Sequence, residues 1–278
     1  MIDLDAYFAR IGYTGSRSPT AETLSAIHAH HARTIPFENL DVLLGRGIRI
    51  DPAAISEKLV QAGRGGYCFE QNGLMMAVLR ALGFTVTPLL ARVRWQVPAE
   101  ISTALTHLIL RVECEAGAFL ADVGFGSMSL YRPLAFELDR EQTVAMERRR
   151  LVLQTETNSA GGPPLGVFAH QAQIGSDWLD VYRFTGEPVA EVDCEVGNWF
   201  TSCHPQSRFV QNLVASRCEE DHRCTLFNRE FTIRHRDGRV VQRTLASPDE
   251  LLRVLADHFK LHLPAGTRFP APGLNWTE

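Results

Sequence analysis

The stretch RGGYCFEQNGLMMAVLRALGFTVTPLLARV, residues 64–93, contains two hydrophobic patterns that meet at Gly83. Before this glycine, apolar residues recur at the spacing of one helix face, which predicts a helix over residues 69–82. After it, branched residues follow one another in a short run that is typical of a β-strand. The sequence therefore predicts a change from helical to extended structure at residue 84.

Upstream of this junction the sequence contains further helical segments. TAETLSAIHAHHAR at 20–33 starts with a capping threonine, and its apolar residues recur at helical spacing. Another segment begins with a cap at Asp51 and a first-turn proline, and it ends at Gly63. Together with the helix over 69–82, these segments predict a helical bundle over residues 1–83.

Downstream of the junction, short runs of branched and aromatic residues are separated by turn-forming stretches such as SAGGPP at 159–164. The runs are TVTPLLARVRW, THLILRVEC, AFLADVGF, RRRLVLQTET and DWLDVYRF. They predict an antiparallel sheet or barrel over residues 84–190.

The last segment, residues 191–278, mixes both kinds of pattern. It contains LFNREFTIRHRDGRVVQRTL, which predicts a hairpin with Asp237–Gly238 as its turn. A helix is predicted at SPDELLRVLADHF, where Ser247 and Glu250 match a capping box and a proline takes the first helical position. The whole chain therefore predicts an α+β protein in three segments.

The composition excludes several classes of protein. With 278 residues, 45% hydrophobic and 22% charged residues and a formal net charge of −4, the chain is typical of a soluble globular protein. The lack of a basic stripe argues against nucleic acid as a partner, and the lack of a long apolar run argues against a membrane. The N-terminus does not match a secretory signal, and the cysteines are irregularly spaced, so reduced thiols and a cytoplasmic location are predicted.

Cys68 is the first candidate functional residue because it lies directly before the predicted helix and directly after an aromatic and two glycines. The positive end of the helix dipole at this place stabilises a thiolate, which favours a nucleophile. Gly65 and Gly66 would let the backbone turn sharply and approach a substrate.

A nucleophilic thiol needs a base and a group that orients the base. His107 lies in THLILRV, where alternation places it on one face of a strand, and Asp122 follows the next strand in LADVGFG. A hairpin of the two strands would bring these side chains together. From the pattern alone an inert core cysteine and a structurally packed histidine remain possible alternatives.

These residues resemble a known family. RGGYCFEQN, the histidine of THLILRV and the aspartate of DVGFG are similar to the Cys, His and Asp motifs of the arylamine N-acetyltransferases. IPFENLDVLL at 35–44 and NWFTSCHPQSRF at 198–209 extend the resemblance, which is weakest after residue 210. It implies a helical domain, an antiparallel β-barrel and an α/β lid around a cysteine-protease-like Cys–His–Asp core.

The resemblance also implies the chemistry. Cys68 would take an acetyl group from acetyl-CoA as cosubstrate, and an arylamine or hydrazine nitrogen would then attack the thioester. His107 would withdraw the thiol proton, Asp122 would stabilise the imidazolium, and no metal would take part. TSCHPQSRF at 201–209 would border the CoA pocket.

Further site residues follow from the resemblance. Arg64 and Glu38 would pair and lock the loop that carries the cysteine; the alternative is a surface ion pair, worth about 0–1 kcal/mol. The substrate pocket would be lined by Phe37, Phe125, Gly126 and Phe209. Plain core packing is the alternative for the phenylalanines.

Two other functions are alternatives from the residues alone. A thiol hydrolase would use the same triad with water as acceptor. A zinc or interaction module is suggested by a concentration of possible ligands in the C-terminal third, although C-x2-C pairs are missing. These residues are Cys203, His204, Cys218, His222 and Cys224. His28 and His31 share a helix face that is expected to be solvated or half-buried.

Overall fold

The structure is a computed structural model and describes residues 2–156 and 165–276. The turn predicted at 159–164 lies outside these residues. The helices are α1 (Leu4–Ile11), α2 (Ala21–Thr34), α3 (Leu40–Leu43), α4 (Pro52–Ile55), α5 (Cys68–Ala81), α6 (Glu191–Cys203), α7 (Arg208–Gln211) and α8 (Pro248–Phe259). The strands are β1 (Phe37–Glu38), β2 (Thr85–Val93), β3 (Leu105–Cys114), β4 (Gly117–Ala121), β5 (Leu134–Ala135), β6 (Gln142–Val144), β7 (Glu147–Glu156), β8 (Leu165–Ile174), β9 (Asp177–Phe184), β10 (Val214–Cys218), β11 (His222–Phe227), β12 (Glu230–His235) and β13 (Val240–Thr244).

The helices agree closely with the sequence pattern. α2 is capped by the Thr20 side chain, and α5 begins at Cys68, one residue before the predicted start. The segment that begins at Asp51 is less regular than predicted, because α4 continues into a π-helical stretch, Ser56–Gln61. Ser247 caps α8 as predicted, but the carboxylate of Glu250 accepts from the amide of Ala246 instead of from the cap residue.

The middle of the chain forms an antiparallel sheet that curls into a nearly closed barrel, in the order β5-β4-β3-β2-β9-β8-β7-β6. The runs that predicted strands all contribute to it. β8 has no matching prediction because alanine, glutamine and histidine take the place of branched residues in LGVFAHQAQI. Its strand conformation follows from pairing with β7 and β9 along both edges.

The C-terminal sheet has the order β1-β10-β11-β12-β13. The predicted hairpin is confirmed, since Arg234 pairs with Val240 and Gly238 has a φ of 86° that suits a tight turn. Its edge strand β1 comes from the first segment, where Phe37 pairs with Ser216. The helical segment therefore contributes to the sheet of the last segment; the predicted boundaries at 83 and 190 stay predictions.

A small hydrophobic cluster lies where the three segments meet. It contains Phe37 from β1, Tyr67, Cys68 and Phe69 from the start of α5, and Leu108 from β3. Larger clusters fill the space between the helices and the barrel, and the space between the C-terminal sheet and α8. Within the described residues, no helix is both long and apolar enough to cross a membrane.

Candidate active site

Cys68 is the first residue of α5, and its side chain lies at the junction of helices and barrel. The residue is only 4% exposed, and its Sγ donates to the carbonyl oxygen of Thr106 at 3.4 Å. The loop after β4 passes directly over it: a Cβ at Gly124 would lie 2.8 Å from the Cys68 Cα. Only glycine permits this approach, and it brings the loop that begins at Asp122 against the thiol.

His107 and Asp122 form a buried pair. The Nε2 atom of His107 lies 2.8 Å from Oδ2 of Asp122, so Nδ1 is the ring nitrogen left for Cys68. Burial by itself would lower the pKa of His107, but the Asp122 carboxylate and, to a smaller extent, the neighbouring Cys68 side chain outweigh it and raise the pKa to about 10. Burial would raise the pKa of Asp122, yet His107 and other donors hold it at about 2. The arrangement favours imidazolium beside carboxylate.

Asn72 supports this pair and was not predicted. Its Nδ2 atom donates to Oδ1 of Asp122 at 2.9 Å and to the carbonyl of Leu108 at 2.6 Å. Its Oδ1 atom accepts from the amide of Val123 at 3.0 Å. Asn72 follows Cys68 by one helical turn, so its position on the same helix face was a usable signal in the sequence.

His28 also supports the aspartate. The backbone amide of Asp122 donates to Nε2 of His28 at 3.1 Å, and this fixes Nδ1 as the donor to the carbonyl of Tyr131. Burial lowers the pKa of His28 to about 4, so the ring is neutral near pH 7. The expected solvated face is therefore wrong: His28 and His31 are both fully buried.

Arg64 and Glu38 hold the loop that precedes the cysteine. Nη2 of Arg64 donates to Oε1 of Glu38 at 2.8 Å, and both side chains are largely buried, so the surface ion pair is excluded. Nearby, Lys58 contacts Glu70 at 2.6 Å, and Glu70 accepts from the amide of Tyr67 at 3.0 Å. The residues on both sides of the glycine pair are thus anchored by charge-assisted hydrogen bonds.

The glycine pair itself has a packing role. A Cβ at Gly65 would lie 2.2 Å from the carbonyl oxygen of Pro36, and Gly66 forms a bridge with Phe37. The pair therefore lets the cysteine loop lie against β1. This contact explains the glycines without reference to a substrate.

A cavity of about 400 Å³ opens at Cys68 and His107. The predicted aromatic residues Phe37, Phe125 and Phe209 all line it. The Phe125 ring stands perpendicular to the His107 imidazole at 5.0 Å, and Phe37 lies 5.8 Å from Phe209.

Gly126 does not line this cavity among the described residues. Gly126 packs against the ring of Phe37, where an added Cβ would lie 3.1 Å from the ring, and its φ is 86°. Its effect on the pocket is therefore indirect, through the position of that ring.

Replacing Asn72 with leucine is expected to destabilise the fold by about 2–4 kcal/mol, because the Leu108 carbonyl and the Val123 amide lose their buried partner. The transfer reaction should also slow, since Asp122 loses a donor. Denaturant unfolding and single-turnover rates measure the two effects. Gln71→Leu on the same helix is the matched control: it removes bonds to the Pro36 and Gly66 carbonyls and should impair stability more than the rate.

Comparison with known proteins identifies the family. A family model described as N-acetyltransferase matches residues 20–268. An arylamine N-acetyltransferase of Mycobacterium tuberculosis is 38% identical over 266 residues, which cover 94% of this chain and 90% of that protein. An arylamine N-acetyltransferase of Escherichia coli is 39% identical over 259 residues, covering 93% of this chain and 88% of that protein. The chain belongs to the arylamine N-acetyltransferase family.

Solved structures of arylamine N-acetyltransferases share the fold. The structure from Mycobacterium smegmatis has a TM-score of 0.86 at 37% identity and covers 95% of this chain and 93% of that chain. The Mycobacterium marinum protein, solved in complex with CoA, has a TM-score of 0.84 at 35% identity, with 93% and 92% covered. The similarity therefore continues past residue 210, where the motif resemblance is weakest.

The zinc alternative finds no support in the described part of the chain. Across residues 2–156 and 165–276, His, Cys, Asp and Glu side chains form no group of three that could hold a metal ion. Cys218 and Cys224 pack in different hydrophobic clusters, and Cys203 is exposed at the end of α6.

Proposed function

We propose that this protein transfers an acetyl group from acetyl-CoA to the nitrogen of arylamines or arylhydrazines through an acetyl-Cys68 intermediate. The observation that carries the proposal is the buried His107–Asp122 pair, whose side chains are 2.8 Å apart. The pair lies beside Cys68 at a helix N-terminus, and Cys68 and His107 line the same cavity. The chain's family membership supports acetyl transfer over other uses of a thiol.

In the first half-reaction, His107 accepts the Cys68 proton, and the thiolate attacks the carbonyl carbon of acetyl-CoA. The tetrahedral oxyanion accepts hydrogen bonds from backbone amides at the N-terminus of α5, beside Cys68. The carbon–sulfur bond to CoA then breaks, and the CoA thiolate takes the proton from the His107 imidazolium. The products are CoA thiol and the Cys68 thioester.

In the second half-reaction, the amine nitrogen attacks the Cys68 thioester. His107, now neutral, accepts a proton from the attacking nitrogen, and Cys68 leaves as thiolate. The Asp122 carboxylate stabilises the imidazolium in both half-reactions. The result is an N-acetylated amine and the thiolate–imidazolium pair of the free enzyme.

The decisive experiment exposes the protein to acetyl-CoA without any amine and measures its intact mass and the modified peptide. One acetyl group on Cys68 is expected.

With an arylamine added, initial rates should give parallel double-reciprocal lines, since CoA leaves before the amine binds. Intersecting lines without an acetylated enzyme would indicate direct transfer in a ternary complex, and rapid loss of the thioester to water would favour the hydrolase.

Phe125→Ser is expected to change the ranking of amine acceptors while Cys68 is still acetylated. The ring covers His107 and contributes apolar contact area to the cavity, but it transfers no proton. Steady-state rates with a panel of arylamines and hydrazines measure the change. Because a Salmonella typhimurium relative is also named N-hydroxyarylamine O-acetyltransferase, the panel includes an N-hydroxyarylamine. An unchanged ranking would contradict the role of Phe125 in acceptor selection.

A further inference from the structure

The outer face of α6 carries a stripe of exposed apolar side chains. Val192, Val196 and Trp199 are 60%, 63% and 60% exposed, which makes them the three most exposed large hydrophobic side chains of the described residues. Together with the exposed Cys203 they recur at spacings of four, three and four residues, so they follow one face of the helix. We call these residues the α6 stripe. Large apolar side chains grouped in this way mark an interaction surface.

The opposite face of α6 attaches the helix to the rest of the protein. Gly197, Asn198 and Thr201 are its buried residues. A Cβ at Gly197 would lie 2.7 Å from the ring of Phe69, and Nδ2 of Asn198 donates to the carbonyl of Ile48 at 2.9 Å. The helix is therefore held in place from one side, while the α6 stripe faces solvent on the other. A partner can cover the stripe without displacing the contacts that hold the helix.

The spacing of the α6 stripe is the same in both directions along the helix, so the stripe is symmetric about its midpoint. A two-fold axis through that midpoint would pair α6 with an antiparallel α6 of a second copy. Val192 would then lie opposite Cys203 of the second copy, and Val196 would lie opposite Trp199. Each residue of the stripe would meet another residue of the stripe. This self-complementarity is what an isologous dimer interface requires.

The charges beside the stripe favour the same arrangement. α6 contains three exposed carboxylates, Glu191, Asp193 and Glu195, all near its N-terminus, and it contains no lysine or arginine. A parallel pair of helices would bring the carboxylates of both copies together, and their repulsion would oppose association. In the antiparallel pair the acidic end lies against the non-acidic end, and Glu191 would lie opposite His204 of the second copy.

We propose that the α6 stripe is a homodimer interface, in which two copies of this chain pair their α6 helices in antiparallel orientation. A basic segment of another protein would also suit the carboxylates, but it would not account for the symmetry of the stripe. One helix pair of this length covers less than the roughly 800 Å² per partner of a standard interface, so a dimer with a Kd of about 1–100 μM is expected. The inference does not rest on the proposed function, because Cys68 and the cavity do not enter it.

The first test measures self-association of the full chain by analytical ultracentrifugation. The wild type should change from monomer to dimer as its concentration rises through the expected Kd. Val196→Glu and Trp199→Glu each place a carboxylate at the centre of the interface, and each should raise the Kd by at least about 30-fold. Leu153→Glu is the matched control, because this leucine of β7 is 57% exposed and lies outside α6. It should leave the Kd unchanged.

The same variants separate a lost interface from a damaged fold. The side chains of Val196 and Trp199 face solvent, so Val196→Glu and Trp199→Glu should keep the circular dichroism spectrum and melting temperature that dilute wild-type protein shows. A variant that failed to fold would be replaced by Val196→Ser, which removes apolar contact without adding charge and should also weaken the dimer.

Cross-linking tests the orientation of the two helices. Val192→Cys introduces a thiol that would lie opposite Cys203 of the second copy, so oxidation with diamide should produce a covalent dimer. Peptide mass analysis should find the bond between positions 192 and 203. The double variant Val192→Cys, Cys203→Ser should give no such dimer, and neither should the wild type, in which Cys203 would face Val192.

Three results would overturn the proposal. Wild-type protein that stays monomeric well above the expected Kd would exclude a homodimer, and binding of a basic peptide to this monomer would assign the stripe to another partner. A dimer that persists in Val196→Glu and Trp199→Glu would place the interface elsewhere. Cross-links of Val192→Cys that join two copies of position 192 would exclude the antiparallel arrangement.

Discussion

Replacing Cys68 with serine is expected to lower arylamine acetylation by at least about 10³-fold, because a serine hydroxyl is hardly ionised beside the same imidazole. Two features of the site favour a thiolate: Cys68 is the first residue of α5, and it lies beside His107, whose pKa is raised to about 10. Neither the helix N-terminus nor the neighbouring imidazole changes when serine replaces the cysteine. Intact-mass measurement after acetyl-CoA exposure should show no acetylated protein.

The fold of the Cys68→Ser variant should be unchanged, since the substitution is nearly isosteric and the residue makes one weak bond to Thr106. Its circular dichroism and melting temperature test this. Cys194→Ser and Cys203→Ser are matched controls on α6, and both should retain activity. Full amine acetylation by the Cys68→Ser protein would exclude Cys68 as the nucleophile.

Asp122→Asn is expected to slow Cys68 acetylation by about 10³–10⁴-fold, whichever amine is present. Asp122 contacts Nε2 of His107 at 2.8 Å and accepts at its other oxygen from Asn72 and Gly124. Those two donors would orient the oxygen of an asparagine toward themselves and its NH2 group toward His107. The imidazole would then be held in the wrong tautomer and lose its counter-charge.

The pH dependence provides an independent check of this reasoning. The Asp122 carboxylate is the main group that raises the pKa of His107 to about 10 against the effect of burial. In Asp122→Asn the pKa of His107 should therefore fall, and the imidazolium should be lost at lower pH than in the wild type. Titration by nuclear magnetic resonance measures the shift; an unchanged pKa would contradict the role of Asp122.

Comparing two variants separates proton transfer from acceptor selection. Asp122→Asn should affect the first half-reaction, whereas Phe125→Ser should affect mainly the second. Single-turnover acetylation and steady-state rates on both proteins distinguish these effects. If Phe125→Ser slowed Cys68 acetylation as much as Asp122→Asn, the two residues would not have different roles.

Local patterns in the sequence were sufficient for the elements that carry the site. The helical spacing that ends at Gly83 predicted α5, and alternation in THLILRV predicted the strand that carries His107. The order of the motifs was enough to suggest the family, which the comparisons confirm. These features depend on residues close together in the chain, so periodicity and motif spacing record them directly.

The tertiary structure alone decided which distant groups support the site. His28 was expected on a solvated face, yet it is buried and accepts from the Asp122 amide, a contact 94 residues apart. β1 joins the C-terminal sheet, and β8 is a strand because of its neighbours. In each case the stabilising free energy comes from contacts with residues far along the chain. Local propensity is too weak to oppose these contacts, and it does not indicate them in the sequence. The sequence thus determined the chemical groups and the elements that carry them, while long-range packing and hydrogen bonding determined their environment.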